Sequence, residues 1–251
     1  MSAPGEPDVS TGEQEGPPPR PARAGGGLWS VVKETVLVVA VALVVSLVVK
    51  TFLFQAFYIP SQSMEETLRI GDRVVVSKLT PGPFDLHRGD VVVFADPGGW
   101  LTPSPPVERG PVGTVVAEAL TFVGLLPEES DEHLIKRVVG VPGDHVVCCE
   151  ADGRLTVNGE PVDEGAYLEA GTAPSAEEFD VVVPDGMLWV MGDNRDESAD
   201  SRYNRDKPYD GFVPVDLVVG RAYTVVWPVQ HWSWLSTPTA FDGVPAAGDA
   251  R

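Results

Sequence analysis

Cysteine, histidine and positive charge are scarce in this 251-residue chain. The two cysteines, Cys148 and Cys149, are adjacent, and the four histidines stand alone at 87, 133, 145 and 231. No Cys/His spacing matches a zinc site, so neither a structural metal nor a cofactor is expected. Neighbouring strand residues point to opposite faces, and a disulfide between them has strained geometry. The pair therefore reads as two reduced, partly buried small hydrophobes. Against 37 acidic residues stand only 18 basic ones, a formal net charge of −19. Residues 55–251 hold 32 of the acids and 14 of the bases. A body this acidic has no patch for neutralising phosphates, which argues against nucleic acid as a partner. Only five lysines occur, at 33, 50, 78, 136 and 207, so a mechanism needing one has few candidates. Beyond residue 54 no run is long and apolar enough to span a bilayer. The nearest, 112–126, is interrupted by Glu118.

One such run does exist near the start. Residues 1–27 are rich in Pro, Gly and Glu and read as a disordered head. Thr35–Val49 is then uncharged and mostly Val and Leu. At ~1.5 Å per residue it falls short of a ~30 Å hydrocarbon core, and flanking apolar residues bring it to length over 28–54. A cleavable secretory signal is disfavoured because Lys50-Thr51-Phe52-Leu53-Phe54-Gln55 offers no small-x-small site. A buried soluble helix is the other alternative. Arg20, Arg23 and Lys33 precede the run and only Lys50 closely follows it. That bias puts the N-terminus in the cytoplasm and the rest of the chain outside the cell membrane, single-pass. The aromatic stretch Thr51–Tyr58 would rest at the lipid interface.

The body reads as strands. Val74–Val76, Val91–Phe94, Val146–Val147, Val181–Val183, Leu188–Met191 and Ala222–Val226 are short β-branched or apolar runs between Gly-Asp, Pro-Gly and Asn-Gly turns. Asp152-Gly153 and Asn158-Gly159 flank Leu155-Thr156-Val157 as hairpin signals. The expectation is a mostly β body over 55–230, with an irregular insertion at 96–131 and a flexible tail at 231–251.

Three polar stretches interrupt this pattern. The first is Ile59-Pro60-Ser61-Gln62-Ser63-Met64-Glu65-Glu66-Thr67-Leu68. The second is Leu134-Ile135-Lys136-Arg137-Val138-Val139-Gly140, with a lysine inside an apolar run. The third is Gly192-Asp193-Asn194-Arg195-Asp196-Glu197-Ser198-Ala199-Asp200-Ser201-Arg202. A serine hydroxyl is a weak nucleophile and needs a base. None of the histidines has a persuasive setting, whereas a lysine desolvated among Leu134, Ile135, Val138 and Val139 could supply a neutral amine. Each stretch also has a bland reading: Ser63 and Glu66 as a helix capping box, Lys136 as an outward charge, and 192–202 as a salt-bridged loop.

Taken in order, these motifs resemble the type I signal peptidases, the membrane-bound Ser/Lys peptidases of bacteria. The likeness covers most of 28–230 and includes Gly71-Asp72-Arg73-Val74 and Arg88-Gly89-Asp90-Val91. Glu66 and Gln62 depart from it, where proline and glycine are common. The resemblance implies a signal-peptidase-type β-body of antiparallel sheets with one N-terminal transmembrane helix. It implies a serine endopeptidase that removes signal peptides from exported preproteins after small residues at −1 and −3. Ser63 would be the nucleophile, Lys136 the general base and Ser61 an oxyanion donor. Ser198 would orient the lysine, with Asp193, Arg195, Asp200 and Arg202 as a supporting network. Phe57, Ile59, Leu134 and Ile135 would line the substrate pockets. The implied partners are signal peptides, membrane lipid and the export machinery. A self-cleaving Ser/Lys repressor would be soluble and carry a DNA-binding domain. A catalytically inactive, membrane-tethered binding module is the alternative of a different class.

Overall fold

The computed structural model describes residues 28–101, 133–149 and 153–247. The expected head at 1–27, nearly all of the insertion at 96–131 and the run at 112–126 lie outside them.

Helix α1 spans Leu28–Phe52. Its 25 residues reach roughly 37 Å at 1.5 Å each, enough for a hydrocarbon core of ~30 Å. It is apolar around its circumference, and its side chains are exposed, Leu37 and Val38 by 63% and 65%. A core helix of a soluble protein would bury them, so that alternative fails. The helix stops two residues before the expected end of the anchor at 54, because Phe54 already belongs to a strand.

The body is antiparallel β. Its larger sheet is built from β1 (Phe54–Tyr58), β2 (Arg73–Ser77), β3 (Val91–Ala95), β4 (His133–Gly140), β9 (Met187–Met191), β10 (Val213–Pro214) and β11 (Val218–Trp227), in the order β1-β2-β11-β3-β4-β9-β10. A short β12 (Ser233–Trp234) pairs with the far half of β11. The smaller sheet has the order β7-β6-β5-β8, from β5 (His145–Cys148), β6 (Thr156–Val157), β7 (Glu160–Pro161) and β8 (Phe179–Val182). The β6–β7 hairpin turns at Asn158 and Gly159, both at positive φ (52° and 81°), as an Asn-Gly hairpin turn requires.

Burial follows strand alternation. In β1, Gln55 and Phe57 point inward while Phe54 and Tyr58 are exposed. Of the aromatics expected at the lipid interface, Phe57 is therefore a core residue. One apolar cluster joins Phe57, Ile59, Met64, Leu68, Val74 and Val76. A second gathers Val92, Phe94, Leu134, Val138, Leu188 and Val190. A third packs the small sheet on Trp189, Met191 and Phe241.

Two expectations are corrected. The tail is ordered through 247. Phe241 is buried and stacks on Tyr167, and Arg88 donates to the carbonyls of Val244 and Pro245 at 3.2 and 3.0 Å. A terminal segment with an aromatic anchor and backbone partners stays docked. Cys148 and Cys149 form a disulfide rather than two thiols.

Candidate active site

Ser63 sits on a turn rather than at a helix start, so it caps no helix. The turn is closed by Glu65 N–H donating to Gln62 O and Leu68 N–H donating to Met64 O (2.9 and 2.7 Å). Met64 and Leu68, fully buried, pin it to the core beside β1. Burying each contributes roughly 1.5–3 kcal/mol. Lys136 lies mid-strand in β4, between β3 and β9, and is buried. The two meet: Lys136 Nζ is 2.7 Å from Ser63 Oγ, and Nζ also donates to Ile135 O at 2.9 Å. Both residues are buried, at 6% and 4% exposure. Burial lowers the Lys136 pKa from the ordinary 10.5 to about 8. The positive charge of Arg202 pushes the same way, while Asp200 and Asp193 oppose it. Lysine is thus neither outward-facing nor firmly protonated here. Ser61 is exposed, with its Oγ 3.4 Å from Ser63 Oγ.

The loop after β9 closes over this pair. Ser63 O accepts from Asn194 N–H at 3.1 Å, and Gln62 O accepts from Asn194 Nδ2 at 3.2 Å. Gly192 is wedged between the two segments. A Cβ there would collide with Ser198 Oγ and Ser63 O and come within 2.6 Å of Ser198 Cβ, so only glycine permits the approach. The Ser198 hydroxyl does not bond to Lys136 as expected. It donates to Asp200 Oδ2 at 2.8 Å, because that buried carboxylate is the stronger acceptor within reach.

Asp193, Arg195, Asp200 and Arg202 are all buried, each in a bidentate or multiply bonded pair. Asp193 is gripped by Arg137 through Nε and Nη2 (2.8 and 2.6 Å). Asp200 is gripped by Arg202 through the same atoms (2.8 Å each) and also accepts from Gly192 N–H. Arg195 pairs with Glu164 (2.6 and 3.1 Å) and donates to Gly192 O at 2.9 Å. Burial disfavours the Arg195 charge, but Glu164 together with Tyr167 and Asp193 outweighs it and raises the pKa. Burial and the same carboxylate raise Tyr167 well above its usual value. Tyr167 donates to Glu164 Oε1 and underlies the Arg137 guanidinium at 4.4 Å. Three arginines and three carboxylates thus pair one to one, and Lys136 is left without a counter-ion of its own. That arrangement explains why its proton is held weakly.

Arg137, Glu164, Tyr167 and Gly192 were not singled out by sequence. Arg137 had a signal, a second base beside Lys136 in a β-strand of an acidic protein. Glu164 and Tyr167 had none. Of the expected pocket residues, Phe57, Ile59 and Ile135 share one cluster with Met64, next to Ser63. Leu134 does not join them; strand alternation sends it to the cluster with Val92 and Phe94.

A buried hydroxyl hydrogen-bonded to a neutral-capable amine can act as a nucleophile–base pair. Comparisons with known proteins point to one family. A family model described as "Signal peptidase, peptidase S26" matches residues 32–227. Signal peptidase I of Mycobacterium tuberculosis (strain ATCC 25618 / H37Rv) is 39% identical over 234 residues, spanning 85% of this chain and 77% of its own. The probable signal peptidase I of Mycobacterium leprae (strain TN) is 36% identical over 242 residues, spanning 86% and 82%. A crystal structure of a signal peptidase I from Enterococcus faecalis V583 aligns with a TM-score of 0.34 at 24% identity, covering 55% of this chain and 97% of that one. The chain belongs to the signal peptidase family, peptidase S26, and is a peptide-bond hydrolase.

Proposed function

We propose that the protein is a membrane-anchored serine endopeptidase that removes N-terminal signal peptides from exported preproteins by a Ser63/Lys136 dyad. The observation that carries this is the 2.7 Å contact between Ser63 Oγ and an amine whose burial brings its pKa to about 8. With Lys136 neutral, its lone pair takes the hydroxyl proton as Oγ attacks the scissile carbonyl carbon. The tetrahedral oxyanion is met by Ser63 N–H and the Ser61 hydroxyl. The Lys136 ammonium then protonates the leaving amine, which departs with the mature chain. Water hydrolyses the acyl-enzyme with Lys136 again as base, restoring Ser63. Ser198, Asp200 and Arg202 support the amine indirectly, by fixing the loop against it. Phe57, Ile59 and Ile135 give an apolar wall near Ser63, suited to small side chains at −1 and −3, and Leu134 on the neighbouring cluster backs that strand.

Helix α1 anchors the enzyme in the cell membrane, with the N-terminus cytoplasmic on the Lys/Arg bias and the body on the far face. Lipid is also a partner of the body. Phe54, Phe84, Tyr223, Trp227, Trp232 and Trp234 are exposed by 42–70%, and several of them border a cavity of about 660 Å³ over β1, β2 and β11. Aromatics at this density suit the headgroup zone. That placement meets a signal peptide, and the export machinery delivering it, where the substrate leaves the bilayer. The test is cleavage of a preprotein by the detergent-solubilised full chain. Ser63→Ala and Lys136→Ala should each abolish it with the body still folded. Substantial turnover by either variant overturns the dyad, and none by the wild type favours the inactive binding module.

A further inference from the structure

We infer that His231 is a positioning residue for the segment that carries Ser61 and Ser63. The inference rests on the peptidase reading above for its kinetic consequence, though not for the contact itself. His231 lies beyond the residues matched by the family model, in the stretch expected from sequence to be loose. Instead its ring is held at both nitrogens. Nδ1 is 2.7 Å from Asp72 Oδ1, and Arg69 Nη1 is 3.4 Å from Nε2. The Nδ1–H tautomer fits both contacts, donating to Asp72 Oδ1 and accepting from Arg69, since arginine has no acceptor.

Asp72 is 2% exposed and is the hinge of the contact. Its Oδ2 accepts from Arg69 N–H at 2.8 Å, and its own N–H donates to Arg69 O at 3.1 Å. These bonds close the turn Arg69–Asp72. That turn holds Ile59 from both sides: Ile59 N–H donates to Asp72 O, and Gly71 N–H donates to Ile59 O, each at 2.9 Å. Ile59 is two residues before Ser61 and four before Ser63. The chain of contacts from His231 through Asp72 to Ile59 therefore ends at the oxyanion donor and the nucleophile. Without His231, Asp72 Oδ1 loses the side chain that covers it and donates to it. The turn must then rearrange to satisfy it, and Ile59 moves with the turn.

The rival role is a plain staple that docks residues 233–247 on the body. The experiment separates the two with the full chain in detergent, comparing wild type, His231→Ala, His231→Asn and Ser63→Ala. Preprotein cleavage gives kcat and KM, and amide hydrogen exchange is followed over 56–64 and 233–247. His231→Ala should lower kcat/KM about tenfold, mostly in kcat, since small misplacements of reacting groups are costly. Exchange over 56–64 should accelerate. His231→Asn should recover most of both losses, because its side-chain N–H takes the place of Nδ1–H toward Asp72. The inference is overturned if His231→Ala leaves exchange over 56–64 unchanged, if its kcat equals that of the wild type, or if His231→Asn falls equally far. Cleavage by Ser63→Ala would sink the dyad instead, while the exchange comparison would still decide whether His231 orders the segment.

Discussion

Lys136→Met should give a protein that is inactive and more stable than the wild type. The methionine side chain is close in volume and carries no charge. In the folded wild type the Lys136 pKa is about 8, against 10.5 for an exposed lysine. That difference corresponds to about 3 kcal/mol spent on keeping the buried amine protonated. The sign follows from the depressed folded-state value. Below pH 8 lysine is protonated in both folded and unfolded chains, and the folded state bears the whole cost. Between about pH 8 and 10.5 the folded chain releases its proton first, and the cost fades. Methionine removes it at every pH but also removes two hydrogen bonds, to Ser63 Oγ and Ile135 O. Losing both costs roughly 2 kcal/mol at about 1 kcal/mol each. The net gain near pH 7 is then about 1 kcal/mol, or roughly 2–4 °C in Tm for a body of this size. Thermal unfolding of both proteins in one detergent, at pH 6.5 and at pH 10, measures it. The gain should be present at pH 6.5 and gone at pH 10, where the wild type becomes the more stable protein. Equal pH dependence of the two proteins, or a less stable Lys136→Met at pH 6.5, would refute the desolvation argument.

The wild-type kcat/KM should rise with pH with its midpoint near 8 as the amine loses its proton; a rate that falls over pH 6–8 contradicts Lys136 as base. Asp200→Asn removes the largest of the charges that favour the Lys136 proton, so the midpoint of that profile should move to lower pH. An upward movement would show that Asp200 acts in another way. Ser61→Ala should lower kcat by about 10²–10³-fold with KM nearly unchanged, as expected for one oxyanion donor in steady-state cleavage; a change in KM alone argues against that role. Gly192→Ala should keep the β-body, visible in far-ultraviolet circular dichroism, while reducing kcat/KM roughly tenfold or more as Ser63 and Ser198 are pushed apart.

The features legible in the sequence are those with local causes. Runs such as Val91–Phe94 and Leu188–Met191 are strands because β-branched and apolar side chains suit a pleated, buried surface, and Gly-rich turns bound them. Lys136 was conspicuous because it stands in a run with Leu134, Ile135, Val138 and Val139, and the structure keeps it buried. What stayed hidden depends on contacts distant in sequence. Glu164 looks like any loop acid until the fold brings it 31 residues along the chain to Arg195. Ser198 was expected at the lysine, yet local geometry offers it Asp200 two residues away. His231 looked like the start of a tail because a pairing across 159 residues leaves no local trace. The same reasoning orders the site's electrostatics. A charge in a motif declares its sign in the sequence, whereas its partner is decided by the fold. Here the fold pairs the buried carboxylates Asp193, Glu164 and Asp200 with Arg137, Arg195 and Arg202. The lysine is the charge left over, and an unpaired buried cation is the one that gives up its proton most readily. On the proposed dyad, the base is made first by burial and then by the pairing of its neighbours, and a change at any of those six side chains should register first in the pH dependence of cleavage.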